Sequence, residues 1–125
     1  MSASLQLESG NLLRIQISGV LREVDLKEVQ DVAAREIARV GAVRVLFLLD
    51  AFEGWERKAD WSDTTFYEAH DRDIEKIAIV GDEKWRDEGL AFAGGGLRKA
   101  AVRFFPAAEP ARAWLLQDAP GPSGK

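Results

Sequence analysis

A chain of 125 residues is the size of one ordinary domain, and 46% hydrophobic with 30% charged residues is the composition of a folded rather than a disordered protein. The formal net charge of −4 argues against a nucleic-acid partner, because the isolated pairs Arg57-Lys58 and Arg98-Lys99 would release few counterions from phosphates. Cysteine is absent, which excludes disulfides and thiol chemistry.

The opening residues MSASLQLESG lack the basic start and apolar centre of a signal peptide. The apolar run Val45–Leu49 falls far short of the roughly 20 residues that cross a bilayer. A cytoplasmic location with no transmembrane segment is the expectation.

In chain order, Leu5 and Leu7, then Leu13, Ile15 and Ile17, alternate with polar residues. This predicts two strands joined at Ser9-Gly10-Asn11, a hairpin with one wet face at or near a sheet edge, the second strand closed by Gly19. Asp25 reads as an N-cap with Glu28 three residues on, a capping box. Leu26, Val29, Ala33, Ile37 and Val40 follow at helical spacing, so a helix is predicted over 26–39, stopped by Gly41. A third strand runs from Val43 to Asp50. Its apolar run Val45–Leu49 is the pattern of a strand buried on both faces.

Residues 51–60 read as a loop. A second helix is predicted from Trp61 to Asp71, capped by Asp60 or Ser62, with Phe66, Ala69 and His70 on one side. Ile74 to Val80 is a buried fourth strand. Gly81-Asp82 ends it and caps a third helix, on which Trp85, Gly89, Phe92 and Ala93 share a face and which Gly94-Gly95-Gly96 terminates. Val102 and Phe104 belong to a last strand stopped by Pro106. Pro110 suits the first turn of a final helix buried through Ala111, Trp114 and Leu115. The tail APGPSGK is rich in Pro, Gly and Ser and is expected to be disordered.

The order β-β-α-β-α-β-α-β-α gives an N-terminal hairpin followed by three right-handed crossovers, which make the later strands parallel. The expected architecture is therefore α/β, a single domain over residues 1–117 with a mixed five-stranded sheet covered by four helices, and a tail over 118–125.

The phrases LLDAFEGW, IEKIAIVGDEKW, VRFFP and ARAWL, in this order and spacing, resemble the SpoIIAA-like family across residues 5–116. That family belongs to the STAS-like domains and is also compared with CRAL-TRIO lipid-binding domains. The resemblance implies an α/β layer with helices mostly on one face of the sheet. It implies a binding or regulatory module in signalling rather than an enzyme, and an apolar cavity beneath helices two and three for lipid-like ligands. One feature departs from the STAS pattern. Anti-sigma-factor antagonists carry a phosphorylatable serine after the third strand, where this chain has Asp50-Ala51-Phe52-Glu53-Gly54-Trp55. Ser62 and Thr64 lie further on and do not match the motif, which puts a kinase-controlled switch in doubt.

Trp55, Trp61, Tyr67, Trp85 and Phe92 concentrate around the second loop and helices two and three. With Phe66, they suggest a concave apolar pocket for a small apolar ligand, or a surface for a protein partner. The expected ligand-binding residues are Trp55, Trp61, Phe66, Trp85 and Phe92, with no cofactor and no catalytic residue. The plainer alternative is that the rings fill the core between helices and sheet.

Asp50 and Asp82 end parallel strands with Glu53 close by, and converging carboxylates can hold Mg²⁺. This gives a second functional class, a small metal-dependent enzyme or phosphoacceptor; against it, both aspartates suit capping roles. His70 is the single histidine, without the nucleophile and orienting acid of a catalytic trio, and suits a structural place at a helix end. Gly94-Gly95-Gly96 follows a helix and precedes a strand, the wrong order for a phosphate loop. The edge hairpin and Tyr67 make a homodimer a further expectation.

Overall fold

The computed structural model of the chain describes residues 2–9, 11–58, 65–93 and 100–117. The alternating leucines and isoleucines of the N-terminus form β1 (Ala3–Glu8) and β2 (Leu12–Leu21), paired antiparallel with Leu7 opposite Leu13. Then come α1 (Glu23–Val40), β3 (Val43–Trp55), α2 (Thr65–His70), β4 (Ile74–Val80), α3 (Arg86–Phe92), β5 (Ala101–Phe105) and α4 (Ala108–Leu116). Short 3₁₀ turns precede β4 and α3.

The sheet order is β1-β2-β3-β4-β5, with every pair after the hairpin parallel. Right-handed crossovers that advance one strand at a time put their helices on a single face. That face carries the larger core: Leu13, Ile15, Ile17, Val45, Ile77 and Ile79 from the sheet, against Val29, Ala33 and Ile37 of α1. The opposite face holds a smaller core, where Ala111 and Leu115 of α4 cover Leu46, Ala78 and Phe105. The expected α/β architecture and helix count are found.

A buried cation sits in that smaller core. Arg44, 5% exposed, interrupts the apolar run of β3. Its Nε donates to Glu75 Oε1 at 2.9 Å, and its Nη1 donates to the carbonyl of Leu115 and, at 2.5 Å, to that of Gln117. Lys76 Nζ adds bonds to the carbonyls of Trp114 (2.9 Å) and Gln117 (3.1 Å). Helix C-termini leave carbonyls without partners, and two cations satisfy those of α4.

Three local expectations need correction. Asp25 is not the N-cap of α1; Arg22 holds that position with no side-chain cap. The helix N-terminus is satisfied from a distance instead, the Glu23 N–H donating to Glu56 Oε1 at 3.0 Å and the Arg22 N–H to Ser2 Oγ at 3.1 Å. Asp25 lies inside the first turn, where its carboxylate accepts from both the N–H (2.9 Å) and the hydroxyl (2.6 Å) of Ser2. Those bonds, the hydroxyl's first, hold the Asp25 carboxyl below its ordinary pKa. Secondly, Gly19 does not close β2, which runs on to Leu21 through an irregularity. Thirdly, β3 does not end at Asp50; it continues to Trp55, replacing much of the predicted loop. The triple glycine, the tail and the proposed caps Asp60 and Ser62 lie outside the described residues.

Candidate ligand-binding site

The extension of β3 decides which side chains meet. Strict alternation would send Trp55 to the face of Phe47 and Leu49, and Phe52 to the opposite face with Asp50. The pairing with β2 departs from that rule. Ser18 faces Asp50, Gly19 faces Phe52, Val20 faces Gly54 and Leu21 faces Trp55, so Ala51 and Glu53 are both skipped. Ala51 takes φ 52° and Gly54 φ 113°, the second a conformation reserved for glycine. These bulges swing Phe52 onto the helix-covered face beside Trp55.

There the two rings meet residues from two other elements. Trp85 arrives from the 3₁₀ turn Glu83–Trp85, which Asp82 caps by accepting from the Lys84 N–H at 3.0 Å. Phe92 arrives from the last turn of α3. Phe52 lies edge-to-face with Trp55 and with Trp85, each at 4.9 Å between ring centres. Trp55 stands 5.9 Å from Trp85 and 5.5 Å from Phe92, and Phe47 is 6.3 Å from Phe92. Edge-to-face pairs add roughly 0.5–1.5 kcal/mol each beyond their burial. The rings thus hold β3, the 3₁₀ turn and α3 together as one cluster at the C-terminal end of the parallel strands, the end at which open α/β sheets bind ligands.

Two narrow apolar clefts run beneath the helices. The first, of about 10 Å³, lies among Phe47, Leu49, Phe52, Trp55, Gly89 and Phe92. The second, of about 30 Å³, lies between α1 and the sheet and is walled by Phe66. Phe47 borders both. A single water needs about 10–15 Å³, so neither cleft holds a larger guest without side chains moving.

The structure therefore brings Trp55, Trp85 and Phe92 together, while among the described residues Phe66 walls the second cleft. Phe66 packs at 4.9 Å against His70, whose Nδ1 is 3.4 Å from Asp73 Oδ2. Trp61 and the side chain of Tyr67 lie outside the described residues. Phe52 belongs to the cluster although period-2 reasoning gives it to the other face.

Among the described residues, charge touches the cluster at its rim. The Lys84 ammonium sits 5.5 Å above the Trp85 ring, and the Arg86 guanidinium 5.1 Å above that of Phe104. Arg86 donates to Glu83, holding that carboxyl below its ordinary pKa and raising its own. Asp50 is exposed on the opposite sheet face, one oxygen 3.4 Å from Gln16 Nε2, and Asp82 is occupied as a cap. Among the described residues, no three His, Asp or Glu side chains gather in a way that could hold a metal ion. No helix among them is long and apolar enough to cross a membrane.

The family model of the SpoIIAA-like proteins matches residues 12–116, from the first residue of β2 to the last of α4. The chain belongs to the SpoIIAA-like family. Its fold is similar to the crystal structure of an uncharacterized protein with a SpoIIAA-like fold from Shewanella loihica, with a TM-score of 0.70. The likeness covers 90% of this chain and 91% of that one at 16% sequence identity, which speaks for the fold alone. No curated protein matches the sequence. As a SpoIIAA-like domain, the chain carries its aromatic cluster where the third strand, the turn before the third helix and that helix converge.

Proposed function

We propose that this SpoIIAA-like domain is a non-catalytic binding module that takes a small apolar or lipid-like ligand at the cluster of Phe52, Trp55, Trp85 and Phe92. Family membership supports a binding or regulatory role over catalysis. The observation that carries the site is the double bulge of β3. A regular strand would bury Trp55 alone, whereas here irregular backbone at Ala51 and Gly54 adds the buried ring of Phe52 beneath the partly exposed Trp55, Trp85 and Phe92. A non-glycine residue at positive φ, such as Ala51, costs on the order of 1–3 kcal/mol, and such residues cluster at ligand sites.

With a cleft of about 10 Å³, a guest enters by parting Phe92 and Trp55, so binding must change the surroundings of the indoles. The test is a titration of the full chain with decanol, read by intrinsic tryptophan fluorescence and by native mass spectrometry. A saturable emission change at one ligand per chain, lost in Phe92→Ala/Trp85→Ala protein that still unfolds cooperatively, is the expected result. An unchanged spectrum up to the solubility limit, together with no adduct, would sink the proposal.

A further inference from the structure

The indole Nε1 of Trp55 is buried and has no hydrogen-bond partner among the described residues. A donor withdrawn from water without an acceptor costs about 1–3 kcal/mol, and most such groups in folded proteins are satisfied. Among the described residues, the rings packed on Trp55 are those of Phe52, Trp85 and Phe92, none of which carries a conventional acceptor. Trp55 is also a wall of the cleft shared with Phe47, Leu49 and Phe92. At the rim, the Lys84 ammonium stands over the ring of Trp85, which is itself 5.9 Å from Trp55.

We infer that the Trp55 N–H is held for an acceptor on the ligand, so that the ligand is an alkyl carboxylate rather than a plain hydrocarbon or a cationic amphiphile. Its carboxylate oxygen accepts from Trp55 Nε1 while its chain lies among Phe47, Leu49 and Phe92. Lys84 favours the anion through its charge. This rests on the apolar-ligand function proposed above and adds the headgroup to it. A hydrogen bond to an ionised acceptor is stronger than a neutral one, which makes the donor a means of selection as well as of binding.

The experiment uses two amphiphiles of equal chain length, decanoate and decylammonium, the second having no acceptor. Each is titrated into ¹⁵N-labelled full-length protein, whose four tryptophans give four indole signals; Trp55→Phe identifies the one from Trp55. Decanoate is expected to move the Trp55 indole proton downfield, and decylammonium to leave it in place. Trp55→Phe is expected to weaken decanoate about tenfold while changing decylammonium binding less than about twofold, the difference that one charge-assisted hydrogen bond makes. Should Trp55→Phe fail to fold, the indole shift in the unmodified chain decides by itself. Equal binding of both amphiphiles with a stationary Trp55 signal would overturn the headgroup assignment and leave the apolar site standing. Binding of neither would overturn both.

Discussion

Replacing Arg44 by methionine isolates what the buried cation contributes. Methionine keeps an unbranched stem of similar length, so burial of the chain is largely retained and the guanidinium alone is removed. Among the described residues, the acceptors on Glu75, Leu115 and Gln117 lose a donor. The side chain of Glu75 is 38% exposed and turns to water at little cost. The Gln117 carbonyl keeps Lys76 Nζ at 3.1 Å. The carbonyl of Leu115, a residue with no exposed surface, loses its cationic donor without replacement. A hydrogen bond to a charged group contributes about 1.5–3 kcal/mol, so Arg44→Met should cost about 2 kcal/mol. Against a total stability of about 5–15 kcal/mol, this is a large fraction. In urea, with a slope of about 1–3 kcal/mol/M, the midpoint should fall by about 1 M at unchanged slope. Lys76→Met on that background should cost more than it does alone, because both cations serve Gln117, a coupling that a double-mutant cycle measures. An Arg44→Met midpoint within about 0.2 M of the parent would refute the reasoning. It would mean that desolvation of the guanidinium cancels its hydrogen bonds, as happens at some buried ion pairs.

Two further outcomes follow from the same geometry. Gly54→Ala should destabilise the fold by about 1–3 kcal/mol in thermal or urea unfolding, because φ 113° is hostile to any side chain, while the added Cβ would meet Trp85 at only an ordinary 3.6 Å. A neutral result would show that β3 can straighten without losing the cluster. The acid arm of the stability profile should depend on Asp25 and Glu8, the latter lowered chiefly by its hydrogen bond with Arg112. Both carboxyls are depressed in the folded chain, so the unfolded chain binds protons more readily. Their contribution is complete above the ordinary carboxylate range near pH 4–4.5 and is lost as pH falls through the lowered values. Asp25→Asn/Glu8→Gln protein should therefore show a flatter acid limb in chemical denaturation between about pH 5 and 2, and an unaltered limb would count against both pairs.

Elements with a regular period were legible in the sequence. The apolar spacing of Leu26 to Val40 and the compact run Ile74–Val80 gave α1 and β4 with nearly correct bounds, because local pattern and tertiary burial agree there. The start of α1 was misplaced because its amides are satisfied by Glu56 and Ser2, which lie 33 and 20 residues away from their partners. The extension of β3 was hidden because alanine at positive φ leaves no signature in residue type. Of the site, Trp55, Trp85 and Phe92 could be placed together since each sits next to a strand end or on the inner side of a helix. Phe52 could not, because the skipped Ala51 reverses its face, and the second skip, at Glu53, restores that of Trp55. Sequence proximity groups Phe66 with them, whereas in the structure Phe47 borders its cleft and theirs alike.

In the sheet order β1-β2-β3-β4-β5, every strand lies beside the one made just before it. No strand waits for a later one to be inserted between it and its neighbour, so the sheet can grow outward from the hairpin as the chain leaves the ribosome. Only α4 reverses this progression, crossing to the far face and reaching back with Arg112 to Glu8, 104 residues earlier. Its docking ties α4 to the far edge of the sheet, so the strand made earliest in this sheet is locked only after the helix that follows β5 has formed.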